Sequence, residues 1–258
     1  MSEADCQAAV EKWLEKQGYP LEMRTSRTFQ RRGWFLHQSR IYKDPTLGKD
    51  REIDVLSFND DPNKKLHGHF VIECKWSPDK PWVLFVTANQ TLTSLGHFRS
   101  TPMTSRACEV TAPILEADIP WFPLFSGIEE GYSVVQAFGR ETPADAAYSA
   151  VQSAVGAANF FAVDMDKDSS DHSIVYVPTI VLAGPLFRCS LSDKGDVSVL
   201  PINIGCVLHR TIDFNACVHI VRESALDEFI DRAEATFKSL RTILSARSDR
   251  AQNQPKIP

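Results

Sequence analysis

The sequence predicts an α/β protein in which one mixed β-sheet is flanked by helices within a single domain. Along the 258 residues the apolar patterning runs as a helix, a group of strands, a second helix, more strands and a last helix. The composition is globular, with 43% hydrophobic and 24% charged residues, and a chain of this length can bury a sizeable core without disulfides or metals. We assign residues 1–250 to this domain and residues 251–258 to a polar C-terminal tail.

The N-terminal part of the chain predicts a helix followed by a long strand. Apolar residues recur at helical spacing within residues 5–17, and Gly18 follows as a C-terminal stop. The apolar face of this helix carries Ala9, Val10, Trp13 and Leu14. Residues 27–43 alternate in polarity and carry aromatic side chains, a pattern that favours a strand, which we expect to be bent.

Three shorter strands are predicted next, at residues 51–58, 69–76 and 82–87. The segment 59–68 between the first two is dense in residues that favour turns, namely Asn, Asp, Pro and Gly. This short connection lets the first two strands pair antiparallel.

The second half of the chain alternates helices and strands. Thr142 predicts an N-cap, and Pro143 predicts the first position of an alanine-rich helix that ends near Phe160. Strands are expected at residues 174–183, 186–192, 196–200 and 216–222. The last helix begins near Ser224. Its apolar stripe consists of Leu226, Phe229, Ile230, Ala233, Phe237, Leu240 and Leu244.

Charge and cysteine usage exclude several classes of protein. The net charge of −5 and the pI of about 5.8 argue against a wholly basic nucleic-acid coat, so nucleic-acid contact would need a local patch. The six cysteines are scattered without CxxC pairs, which favours free thiols in a reducing compartment. The acidic N-terminus is unlike a signal peptide, and the longest uncharged apolar stretch, residues 174–187, is too short to span a bilayer. We therefore expect a cytoplasmic protein without a membrane partner.

The residues that point to chemistry lie on the two predicted antiparallel strands. Side chains alternate along a strand, so Glu73 and Lys75 share one face. One antiparallel register places Asp54 opposite Glu73. The same register pairs Leu56 with Val71, Val55 with Ile72 and Ile53 with Cys74. It brings two carboxylates and an ammonium together, with Ile53 and Val55 on the opposite, apolar face.

This cluster suits a divalent cation. Two adjacent carboxylates repel each other, and a cation removes the repulsion. Mg²⁺, for which Mn²⁺ can substitute, prefers oxygen ligands and keeps several waters, so Asp54, Glu73 and the backbone carbonyl of Cys74 would suit it. Lys75 would orient or deprotonate the attacking water, or stabilise charge on the transition state. A surface Glu73–Lys75 pair on an edge strand is the alternative, although this is the only acid-x-Lys triplet in the chain.

At these residues the sequence resembles the PD-(D/E)xK, or restriction-endonuclease-like, nuclease superfamily. Its local residue pattern resembles the Mrr-like and Holliday-junction-resolvase-like branches. The match covers the helix before the motif and the two motif strands, with Ile53 in place of the eponymous proline. The resemblance implies a restriction-endonuclease-like core. It also implies that Asp54 is the motif aspartate, Glu73 the second metal ligand and Lys75 the catalytic lysine.

The resemblance also suggests accessory residues. Members of the superfamily often carry a glutamate on the first helix; the spacing places it at Gln7, and Glu11 one turn later is the alternative. This departure leaves open whether one metal or two are bound. Gln152, on the alanine-rich helix, corresponds to a position where some members keep a polar residue near the active site, and a helix-surface glutamine is an equally good interpretation.

A basic segment precedes the motif strands. Between residues 24 and 51 it carries Arg24, Arg27, Arg31, Arg32, Arg40, Lys43, Lys49 and Arg51 against Asp44 and Asp50. Such clustering fits contact with a phosphate backbone, with a solvated strand face as the alternative. We select Arg31, Arg32 and Arg40 as candidate nucleic-acid ligands and add Lys80, which follows the motif strand. Strand alternation would send Arg31 and Arg32 to opposite faces unless a turn or bulge intervenes, so only one of them would contact the ligand.

These observations predict an Mg²⁺-dependent endonuclease that hydrolyses phosphodiester bonds, with DNA as the preferred substrate. The alternative is a catalytically inactive nuclease-like fold that binds nucleic acid or a protein partner, which the altered first-helix acid favours. A scaffold protein would require the motif to be coincidental. A homodimer is a further expectation, because many nucleases of this class dimerise to address two strands.

Overall fold

In the described part of the chain, ten strands form one mixed sheet at the centre of the fold. The computed structural model of the protein describes residues 2–45, 48–59, 66–86, 92–115, 122–138, 145–168, 171–210 and 215–252. The strands are β1 (Phe35–Lys43), β2 (Asp50–Phe58), β3 (His67–Trp76), β4 (Trp82–Val86), β5 (Glu129–Gln136), β6 (Ile174–Ala183), β7 (Leu186–Leu191), β8 (Val197–Pro201), β9 (Ile204–Arg210) and β10 (Asn215–Arg222). They lie in the order β1-β2-β3-β6-β10-β9-β5-β4-β7-β8.

Helices flank this sheet, so the predicted α/β class with a mixed sheet is confirmed. They are α1 (Glu3–Leu14), α2 (Tyr19–Arg31), α3 (Ser94–Arg99), α4 (Ser105–Thr111), α5 (Ala146–Asp168) and α6 (Leu226–Gln252). A single 3₁₀ turn, Glu223–Ala225, leads from β10 into α6. Among the described residues, no helix has the length and apolar character needed to cross a membrane.

The two sides of the sheet bury different helices. On one side α5 presents a row of small side chains, which allow its backbone to lie close to the strands. This row consists of Ala147, Ala150, Ala154, Ala157 and Ala158. On the other side, Phe29 of α2 and Phe229 and Phe237 of α6 pack over Phe70 and Ile72 of β3. The strands β2 and β3 are thus covered by helices on both faces.

The centre of the sheet is set by the parallel pair of β3 and β6. Ten residue pairs join these strands, from His67–Ile174 to Trp76–Ala183. Every residue of β6 is buried, which is the pattern of a strand covered on both faces. β3 also pairs antiparallel with β2, and β2 with β1. The first three strands therefore form an antiparallel meander attached to the rest of the sheet through β6.

The N-terminal prediction was partly wrong. Residues 27–31 belong to α2 rather than to a strand, and the strand begins at Phe35. The helix α2 begins with Pro20 in its first turn, and its buried side chains, Leu21, Thr25, Ser26 and Phe29, recur at helical spacing. Two of them are polar, so the apolar periodicity is weak. The apolar face predicted for α1 is not a core face, because α1 has no buried residue.

Other boundaries also differ from the prediction. The helix α5 ends at Asp168 rather than near Phe160, and α6 continues to Gln252. Thr142 and Pro143 lie outside the described residues, as do residues 253–258 of the expected tail. The short helices α3 and α4 and the strands β5 and β9 were not predicted. Their sequences are short and mix polar with apolar residues.

Candidate functional site

The site is built on the register between β2 and β3, which the sequence predicted. Val55 pairs with Ile72 and Leu56 with Val71, as expected, and the pairing continues to Phe58–His69. In the other direction the register ends at Val55–Ile72. The predicted pairs of Asp54 with Glu73 and of Ile53 with Cys74 do not form, because β2 leaves β3 at Asp54.

A distortion of the two outer strands accompanies this separation. In the β1–β2 register, Gln38 pairs with Val55 and Arg40 with Ile53, and no pair is made between them. The skipped residue of β1 is Ser39, whose φ of 53° lies in the left-handed region, a conformation that non-glycine residues seldom adopt. Ser39 therefore lies opposite Asp54, between the same two residue pairs.

The distortion changes which side chains share a face. Ile53 packs in the core beneath α5 together with Leu56, whereas Val55 packs in the core beneath α2 and α6. The expectation that Ile53 and Val55 point the same way was therefore wrong. Strand alternation assumes regular backbone, and it fails at the residue where the chain is bent.

Asp54 is fixed by a backbone donor in the gap that this bend opens. The Cys74 N–H donates to Asp54 Oδ2 at 2.6 Å. In a strand the N–H and C=O of one residue point to the same side, so the carbonyl of Cys74 also points to the edge of β3 at which β2 lies. The thiol of Cys74 lies on the α2 side, where its Sγ is 3.7 Å from Thr25 Oγ1. The contribution of Cys74 to the site is therefore its backbone.

Glu73 and Lys75 lie together on β3, as strand alternation predicted. Lys75 Nζ donates to Glu73 Oε1 at 2.6 Å. The carboxylate is buried, and the lysine is half-buried. The second oxygen, Glu73 Oε2, is buried without a hydrogen-bond partner among the described residues. A buried acceptor in this state is costly, and a cation would satisfy it.

Burial and like charge raise the pKa values of both carboxyl groups. For Asp54 burial is the main cause, opposed by the Cys74 hydrogen bond and by the Lys75 charge, with repulsion from Glu52 added. For Glu73 burial again raises the pKa most, Lys75 lowers it, and the charge of Asp54 raises it. The charge of Asp54 therefore acts on Glu73 across the two strands.

A further carboxyl group, Glu22 of α2, joins this cluster. It is half-buried, and its pKa is raised to about 7, first by burial and then by the charges of Asp54, Glu52 and Glu73. Sequence reasoning missed it because α2 was not recognised as a helix. The signal was present: Pro20 two residues earlier marks a helix start, and Glu22 lies one turn before Thr25, whose hydroxyl meets Cys74.

The accessory residues proposed from the resemblance do not join Asp54 and Glu73. Gln7 Nε2 donates to Glu11 Oε1 at 2.8 Å on the exposed surface of α1. Gln152 is exposed, and its neighbour Ser153 supplies the link from α5 instead. Arg51 Nη2 donates to Ser153 Oγ at 2.9 Å, and the Arg51 charge lowers the pKa of Glu73.

The remaining donor atoms fit a cation that keeps most of its water. Within the described part of the chain, no group of three or more His, Cys, Asp or Glu side chains is placed to hold a metal ion. Asp54 Oδ2 and Glu73 Oε1 each already accept a hydrogen bond, which leaves one other oxygen on each carboxylate. Mg²⁺ is commonly held by one or two carboxylates and several waters, so two carboxylates and the Cys74 carbonyl fit it.

The basic segment is divided between ion pairs and exposed side chains. Arg32, the C-cap of α2, lies against Asp231 and has Glu234 Oε2 at 3.1 Å from Nη2, both on α6. Arg24 is paired with Glu223. The side chains of Arg31, Arg40 and Lys80 are exposed. Arg31 and Arg32 end a helix, so the expectation that strand alternation separates them was wrong.

Comparisons of the chain with protein-family models, with curated proteins and with solved structures found no match.

Proposed function

We propose that this protein is an Mg²⁺-dependent endonuclease that hydrolyses phosphodiester bonds in DNA, built on a restriction-endonuclease-like core. The observation that carries the proposal is the gap where β2 leaves β3. Asp54 accepts a hydrogen bond from the Cys74 N–H there, its charge acts on the adjacent Glu73, and Glu73 Oε2 is buried without a partner among the described residues. The raised pKa values of Asp54 and Glu73 fit a place that a cation would stabilise.

The residues divide the work of hydrolysis. Bound Mg²⁺ would supply Lewis-acid stabilisation of the phosphate charge and a more acidic water. Asp54, held by the Cys74 N–H, and Glu73 would hold it. Lys75, half-buried beside Glu73, orients the water whose oxygen forms the new bond to phosphorus. As this water bonds to phosphorus it gives up a proton to solvent. The bond from phosphorus to the leaving oxygen breaks, and that oxygen takes a proton from solvent.

A second function is favoured by a specific observation. Lys75 Nζ is bound to Glu73 Oε1 at 2.6 Å, and among the described residues no three-ligand metal group is present. An ammonium that neutralises one of the two carboxylates lowers the demand for a cation. This favours the alternative of an inactive nuclease-like protein that binds nucleic acid or a protein partner.

Cleavage assays separate the two functions. We expect the protein to cut plasmid or single-stranded DNA with Mg²⁺ or Mn²⁺ and not with EDTA. Lys75→Ala removes the group that orients the attacking water, and Glu73→Gln removes a negative charge from the metal site. Each should lower the rate by at least about 100-fold. Lys194→Ala, in the exposed turn between β7 and β8, is the matched control and should cut at the original rate.

The result that contradicts the nuclease is DNA binding without metal-dependent cleavage, which supports the inactive alternative. Equal residual activity in Lys75→Ala and Lys194→Ala would indicate a contaminating nuclease. A protein that neither cuts nor binds DNA would leave the scaffold interpretation.

A further inference from the structure

A row of rings crosses four neighbouring strands of the sheet. It consists of Phe35 and His37 on β1, Phe58 on β2, His69 on β3 and Tyr176 on β6, and we call it the aromatic row. The centroid of Phe58 is 5.9 Å from that of Phe35 and 5.1 Å from that of His37, with interplanar angles of 28° and 26°. Phe58 meets His69 at 5.6 Å, and His69 meets Tyr176 at 5.2 Å. The rings thus form one continuous line of contacts from the edge of the sheet to its interior, stacked at Phe58 with Phe35 and His37 and edge-on at His69 with Tyr176.

Exposure rises along the row. Tyr176 is 2% exposed and His69 is also buried, whereas Phe58 is half-buried, His37 is exposed and Phe35 is 62% exposed. The two exposed rings are those that lie nearly parallel to Phe58. Exposed rings in offset stacking geometry offer a surface on which another planar ring can be added.

A cavity of about 230 Å³ adjoins this exposed end. Its walls include His37, Arg40, Phe58, Phe161 and Met165. This volume is below that of a site for a drug-sized ligand, roughly 300–1,000 Å³. It suits one planar ring system.

Arg40 supplies a positive charge at the same cavity. His37 and Arg40 are three residues apart, and both line the cavity because Ser39 between them has a φ of 53°. Asp164, also on the cavity wall, is itself approached by Lys167 at 3.9 Å between Oδ1 and Nζ. A guanidinium beside stacked rings is the combination that binds a base together with its phosphate.

The aromatic row and the carboxylates stand on the same two strands. Asp54 and Phe58 are four residues apart on β2, and Glu73 and His69 are four residues apart on β3. Four residues of strand span about 13 Å. One nucleic-acid strand of a few nucleotides can cover this distance.

We propose that the aromatic row is a stacking site for an unpaired base, so that the substrate of this protein is single-stranded DNA or DNA with unpaired nucleotides beside the cut. The substrate class rests on the proposed function. In a duplex the bases are already stacked on one another and cannot reach a ring on the protein without being flipped out. In a single strand the bases are unpaired and can stack on a protein ring, and such stacking depends little on base sequence.

The test is DNA binding in EDTA, where cleavage does not take place. Fluorescence anisotropy compares an oligothymidylate with a blunt duplex of equal length, for the original protein and for Phe35→Ala and His37→Ala. Each variant should weaken single-strand binding about fivefold or more and leave duplex binding unchanged. Phe35→Tyr keeps the ring and should restore the affinity.

Tyr132→Ala is the matched control, because Tyr132 is 65% exposed and lies 6.3 Å from Phe85 in a comparable ring pair. It should bind like the original protein. Unchanged thermal unfolding of Phe35→Ala and His37→Ala would show that folding is intact. If either variant has a lower unfolding midpoint, the single-strand affinities of Phe35→Tyr and Phe35→Leu are compared instead, because only the first keeps the ring.

Three results would overturn the proposal: single-strand binding that ignores the loss of either ring, equal weakening on single strand and duplex, or no single-strand binding by the original protein. The proposed nuclease activity and the proposed stacking site are tested by different results. Ring-dependent binding without metal-dependent cleavage removes the nuclease and keeps the stacking site. Metal-dependent cleavage of duplex without ring dependence keeps the nuclease and removes the stacking site.

Discussion

Glu22 gives the site a pH dependence whose sign follows from its pKa. Burial and the neighbouring carboxylates raise the pKa from 4.5 to about 7. A carboxyl group whose pKa rises on folding stabilises the protein below its unfolded pKa, and this contribution is lost as the pH rises through the folded pKa. Without metal, the contribution of Glu22 to stability should therefore fall between about pH 4.5 and pH 7.

The variant Glu22→Gln isolates this effect. Glutamine resembles the protonated carboxyl group and cannot ionise, so the variant should unfold at a higher temperature than the original protein above pH 7. At pH 4.5 the two should unfold at nearly the same temperature. Thermal unfolding in EDTA at both pH values measures this, with the exposed Glu15→Gln as control. A difference that is the same at both pH values would contradict the assignment of the raised pKa to Glu22.

Metal binding should be visible as stability without any assay of cleavage. If Asp54 and Glu73 hold Mg²⁺, saturating metal at about 100 times its Kd stabilises the folded protein by about 2.7 kcal/mol. The unfolding temperature in Mg²⁺ relative to EDTA should therefore rise for the original protein and much less for Glu73→Gln. An equal rise in both would place the metal elsewhere.

At the scale of elements, α2 and α6 are joined by a charged contact. Arg32 pairs with Asp231 and Glu234, and Trp34 Nε1 donates to Glu234 Oε1 at 3.1 Å. Several acids share the one guanidinium, so the contact is a small network rather than a single surface pair.

Arg32→Ala should therefore act on stability and not on nucleic-acid binding. We expect a loss of about 0.5–1 kcal/mol, in the range of partly exposed ion pairs, with the affinity for DNA and its salt dependence unchanged. Arg31→Ala, whose side chain is exposed, is the control and should not alter the unfolding midpoint. Denaturant unfolding and binding at several salt concentrations give both quantities. If the DNA affinity of Arg32→Ala depended less on salt than that of the original protein, Arg32 would be a nucleic-acid ligand after all.

The hairpin of the site was predictable, and its distortion was not. Val55–Ile72 and Leu56–Val71 follow from apolar alternation on both faces, because a one-residue slip would reverse every side chain. The bend at Asp54 could not be derived, because the positive φ that accompanies it belongs to Ser39, and serine does not demand that conformation. Glu22 was missed because polar residues, Thr25 and Ser26, occupy buried positions of its helix.

Across the whole molecule, the contact of α6 with the sheet depends on a glycine. A Cβ added at Gly68 of β3 would lie 2.3 Å from Phe237 Cε2, a ring that is itself buried. Gly68→Ala should therefore force α6 outwards and cost about 1–3 kcal/mol, as overpacking does. Chemical denaturation measures it, and Gly195→Ala, which meets no atom within 4 Å but has a φ of 84°, shows the cost of backbone strain alone. Equal losses would mean that the space beside Phe237 is not restrictive.

The parallel pairing of β3 with β6 also determines when this protein can become complete during its synthesis. β3 ends at Trp76, and its central neighbour begins at Ile174. Ribosomes add about 5–20 residues per second, so β3 waits roughly 5–20 s for its partner strand. Throughout that time Phe70, Val71 and Ile72 form an apolar strand with one open edge, the kind of segment that pairs with other chains. The strand that carries Glu73 and Lys75 is therefore exposed to pairing with other chains until β6 has been made.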